Sequence, residues 1–197
     1  MRLVVTEFLT VDGVIEDPGG AEGFEHGGWS MQFFDDEIAK FKLDELLATD
    51  ALLLGRVTYE GFAAAWPSRT DEAGFADRMN SLPKFVVSTT LEKADWNNST
   101  LIKGNVAEEV SKLKEQPGQD IVVHGSGELV QTLMRHDLVD EYRLMVQPIV
   151  LGSGKRLFGE GSRTSVLRLA DTKTFGPGVV VLFYERANME EEAAIPS

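Results

Sequence analysis

The chain has no cysteine among its 197 residues. That excludes a disulfide framework, thiolate catalysis and any cysteine-built metal centre. Histidine is scarce too: His26, His124 and His136 are too scattered for metal-ligand spacing, so no metal is expected. Basic residues are outnumbered, 19 Lys and Arg against 32 Asp and Glu, for a net charge of −13. Phosphate backbones are held by basic surfaces, so nucleic acid is not an expected partner. A small anionic cofactor is not excluded, because it needs only a local pocket of N–H groups and one or two cations. No apolar run approaches the roughly 20 residues that cross a bilayer. The stretch Met1 to Glu7 has an acidic residue inside its apolar run and no small-residue cleavage pattern. No membrane partner and a cytoplasmic location are the expectations.

What is present is ordinary for a globular protein: 43% hydrophobic and 26% charged residues. No repeat or linker interrupts the chain. It reads as one domain over residues 1–187 with an acidic tail over 188–197.

Leu3 to Val11 is a mostly buried strand, closed by the Asp12-Gly13 turn. A glycine-rich stretch from Glu16 to Gly28 is too polar for core and reads as a lid, a binding loop or a surface excursion. The segment Asp35 to Ala48 is helical but apolar on two sides, so it is sandwiched or broken near Lys42. Asp35 and Asp36 fall in its first turn, where carboxylates cap helices. Ala51 to Leu54 is a short buried strand, and Gly55-Arg56-Val57-Thr58 opens a helix that Trp66-Pro67 ends. A short helical piece spans Glu72 to Leu82. Lys84 to Thr90 is a third strand ending in three hydroxyls, and Leu101-Ile102 a brief fourth. Val106, Val110 and Leu113 mark an amphipathic helix stopped by Pro117-Gly118.

The stretch Ile121-Val122-Val123-His124-Gly125-Ser126-Gly127-Glu128-Leu129-Val130 is strand, tight turn and helix with no room for a loop. The first N–H groups of such a helix lack partners, and glycine lets an anion approach them. From Tyr142 the pattern changes to strand-like runs (Tyr142 to Val150, Val166 to Thr174, Val179 to Tyr184) with no helix between the last two. The fold expected is α/β: a mixed sheet, mainly parallel, with antiparallel C-terminal strands and helices on both faces.

Three strand ends therefore carry small or hydroxyl residues: Gly55 with Thr58, Ser88 to Thr90, and Gly125 to Gly127. In an open parallel sheet such ends line one edge, where ligands bind. With Arg56 they describe a cradle for an extended anion bearing several phosphates. No Gly-x-Gly-x-x-Gly follows the first strand. Gly152-Ser153-Gly154-Lys155 is followed by Arg156 where a phosphate-loop pattern needs Ser or Thr. No Gly-x-Ser-x-Gly elbow is present.

With these residues in place, the chain resembles the dihydrofolate reductase-like superfamily, nearest the reductase domain of bacterial riboflavin biosynthesis. The likeness is carried, in the family's order, by Thr10 to Ile15, Leu54 to Glu60, Val87-Ser88-Thr89, His124 to Leu129, and Pro148 to Phe158. It implies NADPH as cofactor and, as partners, a small heterocyclic substrate and a second copy of the chain in a homodimer. On the family pattern Gly55, Arg56 and Thr58 lie at the cofactor phosphates. Ser88 and Thr89, with Arg56, hold the 2′-phosphate side. Gly125, Ser126, Gly127, Glu128 and Leu129 wrap the pyrophosphate, although the sign of Glu128 is unhelpful there unless it points away. Phe8 and Ile15 border the nicotinamide. The folate-reducing relatives keep a carboxylate early in the first helix, and Asp36 is the nearest match as catalytic acid, with Asp35 next. Trp29, Phe33 and Phe34 either stack on a planar ring or pack in the core. Lys155 and Arg156 either meet a substrate phosphate or form a solvated turn or subunit contact.

The activity implied is NADPH-dependent hydride transfer to a planar nitrogen heterocycle, of the 5-amino-6-(5-phosphoribosylamino)uracil or pterin/dihydrofolate kind. The alternative is a non-catalytic NADP(H)- or nucleotide-binding protein. The bifunctional riboflavin enzyme carries a cysteine-containing zinc site in its deaminase half, which a chain without cysteine lacks.

Overall fold

The computed structural model describes residues 1–159, 164–176 and 178–187. The acidic tail from residue 188 lies outside the described residues. Among them are eight strands: β1 (Arg2–Thr10), β2 (Thr49–Gly55), β3 (Lys84–Val87), β4 (Ser99–Ile102), β5 (Asp120–His124), β6 (Glu141–Gln147), β7 (Leu167–Phe175) and β8 (Val179–Arg186). The helices are α1 (Asp36–Leu47), α2 (Arg56–Ala65), α3 (Phe75–Ser81), α4 (Val106–Lys114) and α5 (Gly127–Arg135). No described helix is long and apolar enough to cross a membrane.

The strands form one sheet in the order β4-β3-β2-β5-β1-β6-β8-β7. β1 to β6 run parallel; β8 pairs antiparallel with β6, and β7 with β8. This is the mainly parallel mixed sheet that the residue pattern predicts. Alternation along β1 sorts its neighbours. Leu3 and Val5 pack with Val110, Leu129, Val130 and Leu133 of α4 and α5 on one face. Val4 packs on the other face with Leu46, Tyr59 and Met79 of α1, α2 and α3. A smaller cluster joins Ile38 of α1 to Met145, Val179 and Val181 under the antiparallel end. Each fully buried aliphatic side chain here contributes about 1.5–3 kcal/mol.

Several boundaries differ from the pattern. β6 stops at Gln147, because Pro148 cannot donate to the ladder. β3 stops at Val87, because the Ser88 hydroxyl accepts hydrogen bonds from the N–H groups of Thr90 (3.2 Å) and Leu91 (3.0 Å) and turns the chain. Helix α1 is unbroken. Asp35 caps it, accepting from the Ile38 N–H at 2.9 Å. Its two apolar sides meet two clusters, Ile38 under the antiparallel end and Leu46 beside Val4, while Leu47 is 57% exposed and Lys42 and Glu45 turn inward.

The glycine-rich stretch is folded by one carboxylate. Asp17 is buried and accepts from the N–H groups of Ala21 (2.7 Å) and Phe24 (3.2 Å). The Trp29 indole donates to the Glu16 carbonyl at 2.8 Å and the Ser30 hydroxyl to the Pro18 carbonyl at 2.7 Å. A loop tied this way is a shaped surface and not a slack excursion.

Candidate active site

Because β3, β2, β5 and β1 are parallel neighbours, their C-terminal ends share one edge of the sheet. That edge brings Gly55, Ser88 and Gly125 to Gly127 onto a single ledge. The glycines there are packed closely by neighbouring side chains. A Cβ on Gly55 would lie 2.0 Å from the Ser126 Oγ and 2.5 Å from its Cβ. A Cβ on Gly127 would lie 2.9 Å from Ile15 Cδ1. Gly125 and Ser126 both take left-handed conformations, with φ of +64° and +68°. That geometry is natural for glycine and costly for serine.

The first N–H groups of α1, α3 and α4 are met by side chains, those of α3 by Asp71, which accepts from Phe75 and Ala76. Asp35 caps α1 and Asn105 caps α4 through their side chains. Gly55 before α2 and Ser126 before α5 make no side-chain cap. The leading N–H groups of α2 and α5 are therefore left for water or a ligand, at the positive ends of the two helix dipoles. Bare donors and close backbone approach are what a pyrophosphate requires, so the residues present fit a dinucleotide.

The remaining residues read from sequence fall as follows. Thr58 is half-buried, and its hydroxyl lies 3.0 Å from where a Gly125 Cβ would be. Arg56 is exposed at the start of α2 and paired with Glu60 at 2.8 Å. Thr89 is exposed, but Ser88 is buried and its oxygen is occupied by its own turn. Glu128 is exposed, away from the core, while the side chain of Leu129 is buried in it and offers the ledge only backbone. Phe8 is half-buried beside the Ile38 cluster. Asp36 is exposed in the first turn of α1, next to the capping Asp35. Trp29 is 3% exposed and so packs, whereas Phe34 is 43% exposed. Lys155 reaches Glu16 at 3.1 Å and the Arg156 Nε donates to the Asp12 carbonyl at 2.9 Å, which makes that turn a brace for the Asp12 loop. Asp12 itself accepts from the Thr10 hydroxyl and from the N–H groups of Leu151 and Gly152. These bonds hold its carboxyl down at about 2.

A second set of groups beside the ledge escaped the sequence reading. On the α1 face, His124 of β5, Thr6 of β1 and Arg143 of β6 lie in one lateral row. Above them, the Lys42 ammonium donates to the Thr6 hydroxyl at 2.9 Å and to the Glu45 carboxylate, and sits 5.5 Å from the centre of the Phe8 ring. Burial pushes the Glu45 carboxyl up, but Lys42, His124 and Arg143 outweigh it and hold it near about 2. Burial and the Lys42 charge push the His124 imidazole down to about 4, so it is neutral at pH 7. His124 faces the Phe62 ring of α2 at 6.0 Å. On the opposite face Glu7 is buried, and burial raises its carboxyl to about 8 against the pull of Lys42 and the Gly125 N–H. The only sequence signals for this set are an acid in the middle of a buried strand and a Lys–Glu pair three apart on a core-facing stripe. Among the described residues no group of His, Asp or Glu side chains has metal-binding geometry.

This geometry has counterparts. The profile of the RibD C-terminal domain matches residues 2–181. The uncharacterized protein YyaP of Bacillus subtilis (strain 168) is 33% identical over 186 residues, 93% of this chain and 94% of that protein. Among solved structures, a putative riboflavin biosynthesis protein from Shewanella sp. PV-4 superposes with a TM-score of 0.71 at 22% identity, over 95% of this chain and all of that one. A diaminohydroxyphosphoribosylaminopyrimidine deaminase/5-amino-6-(5-phosphoribosylamino)uracil reductase from Thermotoga maritima does so with a TM-score of 0.64 at 14% identity, over 94% of this chain and 56% of that one. The mixed, mainly parallel sheet is thus that of a dihydrofolate reductase-like α/β fold. With the profile spanning nearly its whole length, the chain belongs to the RibD C-terminal domain family.

Proposed function

We propose that this protein is an NADPH-dependent reductase that transfers hydride to a planar nitrogen heterocycle, of the ribosylaminopyrimidine or pterin kind. The observation that carries the reading is the contact of Gly55 with Ser126. Two uncapped helix starts meet there so closely that the Ser126 side chain already fills the place a Gly55 Cβ would take. Such a joint presents two sets of N–H donors to one extended anion. NADPH bound there supplies the hydride. The chain's part is to orient it and exclude water. Gly125, Ser126 and Gly127 offer backbone donors to the pyrophosphate. Arg56 and Thr89, both exposed beside Ser88, are the groups available to a 2′-phosphate, with Arg56 exchanging its surface pair with Glu60. Phe8 and Ile15 flank the ledge at β1, where a nicotinamide would rest.

Titration of the cofactor followed by nicotinamide fluorescence tests the reading. Saturable binding of NADPH, tighter than that of NADH, is the expected result. No binding at millimolar NADPH by the folded protein would end it. The proposal includes a homodimer. β7 is exposed along nearly all its length with Leu169 48% exposed, and such an open sheet edge can accept a second copy.

A further inference from the structure

Reduction of a C=N group consumes a proton as well as a hydride, and the acids read from sequence stand away from the interior. Asp35 is committed to capping α1 and Asp36 is exposed. Lys42 is differently placed. Its side chain is 11% exposed and lies between α1 and the ends of β1 and β5. An ammonium has three N–H donors. Thr6 and Glu45 take two, and the third has no partner among the described residues. Around it stand Phe8 and, in the same row as Thr6, the neutral His124, on the two strands that bear the nicotinamide side of the ledge. The His124 imidazole makes no hydrogen bond among the described residues and is not sealed from solvent. On its other side His124 meets the Phe62 ring of α2, with centres 6.0 Å apart.

We propose that Lys42 is the proton donor of the reduction, held in place by Thr6 and Glu45, with His124 flooring the acceptor site. The inference rests on the reductase reading above. As hydride adds to the carbon of the acceptor C=N, the π bond breaks and its electron pair moves to nitrogen. That nitrogen takes a proton from the Lys42 Nζ: an N–H bond forms on the acceptor, one Nζ–H bond breaks, and Lys42 is left a neutral amine. It regains a proton from solvent on the side where Glu45 and Arg143 line an open groove of about 230 Å³ between α1 and β8. The Glu45 carboxylate, itself charged, favours that return.

The test compares wild type with K42M and K42R, each checked for folding by circular dichroism. K42R keeps a cation beside buried Glu45, so it remains folded if K42M does not; its guanidinium is too weak an acid to give up a proton. NADPH binding is read by nicotinamide fluorescence, pterin binding by pterin fluorescence. Turnover is read as NADPH oxidation against dihydrofolate, dihydropterin and 5-amino-6-(5-phosphoribosylamino)uracil. Both variants are expected to bind NADPH within twofold of wild type. K42M binds pterin about tenfold more weakly, the loss of one charge-assisted hydrogen bond. Both lose about 10²-fold or more in kcat, the scale of a general acid. Rescue of kcat by K42R to within threefold would show a purely structural charge and overturn the assignment. So would a wild type that binds NADPH but neither binds pterin nor reduces any acceptor. A wild type that fails to bind NADPH removes the reductase reading itself, and this inference with it.

Discussion

Glu7 makes stability depend on pH in an unusual direction. Its carboxyl lies on the α5 face of β1, 8% exposed, with Oε1 unpartnered among the described residues. Burial raises it from 4.5 to about 8. Between those two values the folded chain holds a proton that the unfolded chain has released. The folded state thus binds more protons, and stability falls as pH rises by about 1.4 kcal/mol per pH unit. Across the window the loss approaches about 4–5 kcal/mol, much of a typical domain's stability. E7Q has nearly the same shape and stays neutral at every pH. The stability difference, variant minus wild type, should be near zero at pH 5 and several kcal/mol in the variant's favour by pH 8.5. His124, at about 4, and Glu45, at about 2, titrate in both proteins and cancel in the difference. Urea denaturation of both proteins at each pH from 5 to 9, with matched slopes, measures it. A difference flat with pH, or one that grows toward acid, would mean that Glu7 is an ordinary ionised carboxylate and would refute the reasoning.

Two other outcomes follow from the geometry. G55A places a methyl 2.0 Å from the Ser126 Oγ and forces the α2 and α5 starts apart. Overpacking of this kind costs about 1–3 kcal/mol, and NADPH affinity should fall at least tenfold by fluorescence titration; unchanged affinity would show that the joint does not shape the cofactor site. Light scattering should give twice the chain mass for wild type and a shift toward monomer for L169D; a wild-type monomer would dismiss the β7 edge as an interface.

The ledge was legible because each part of it is local. A β-branched run, a glycine and an immediate helical stripe lie within the fourteen residues from Ile121 to Met134, and the parallel sheet then aligns the three junctions. The polar set beside it was not legible, since its members meet across the chain: Thr6 with Lys42 at a separation of 36 residues, and Arg143 with Glu45 at 98. Nothing in a one-dimensional pattern tells an inward lysine from an outward one. On α1 Leu47 faces solvent, while Lys42, where the pattern allows a break, turns inward. The hydroxyls of Ser88 to Thr90 look alike in sequence. Only the turn geometry separates Ser88, spent on its own backbone, from Thr89, which is exposed. The glycine-rich stretch was read by composition, whereas its shape depends on the single side chain of Asp17.

The buried charges on the α1 face also explain how β1 keeps its alignment. Arg2 binds Asp120 and Glu141, each at 2.9 Å. Arg143 joins Asp120 at 2.9 Å to Glu45 at 3.4 Å, and Glu45 holds Lys42. Three cations face three carboxylates, so the strip is neutral, and apolar residues of similar volume would give comparable stability. What apolar residues would not give is a penalty for misalignment. A slip of β1 by one residue would carry Arg2 and Thr6 to the face where Leu3 and Val5 now meet α4 and α5. Asp120 and Glu141 would then lose Arg2, and Lys42 would lose the Thr6 hydroxyl, leaving Arg143 alone to face Asp120 and Glu141. Adjacent all-aliphatic strands such as β2 and β5 carry no such restriction in their central residues. The strip therefore fixes which face of β1 looks toward α1. It thereby places Phe8 and Thr6 beside Lys42 and Glu7 beneath Gly125.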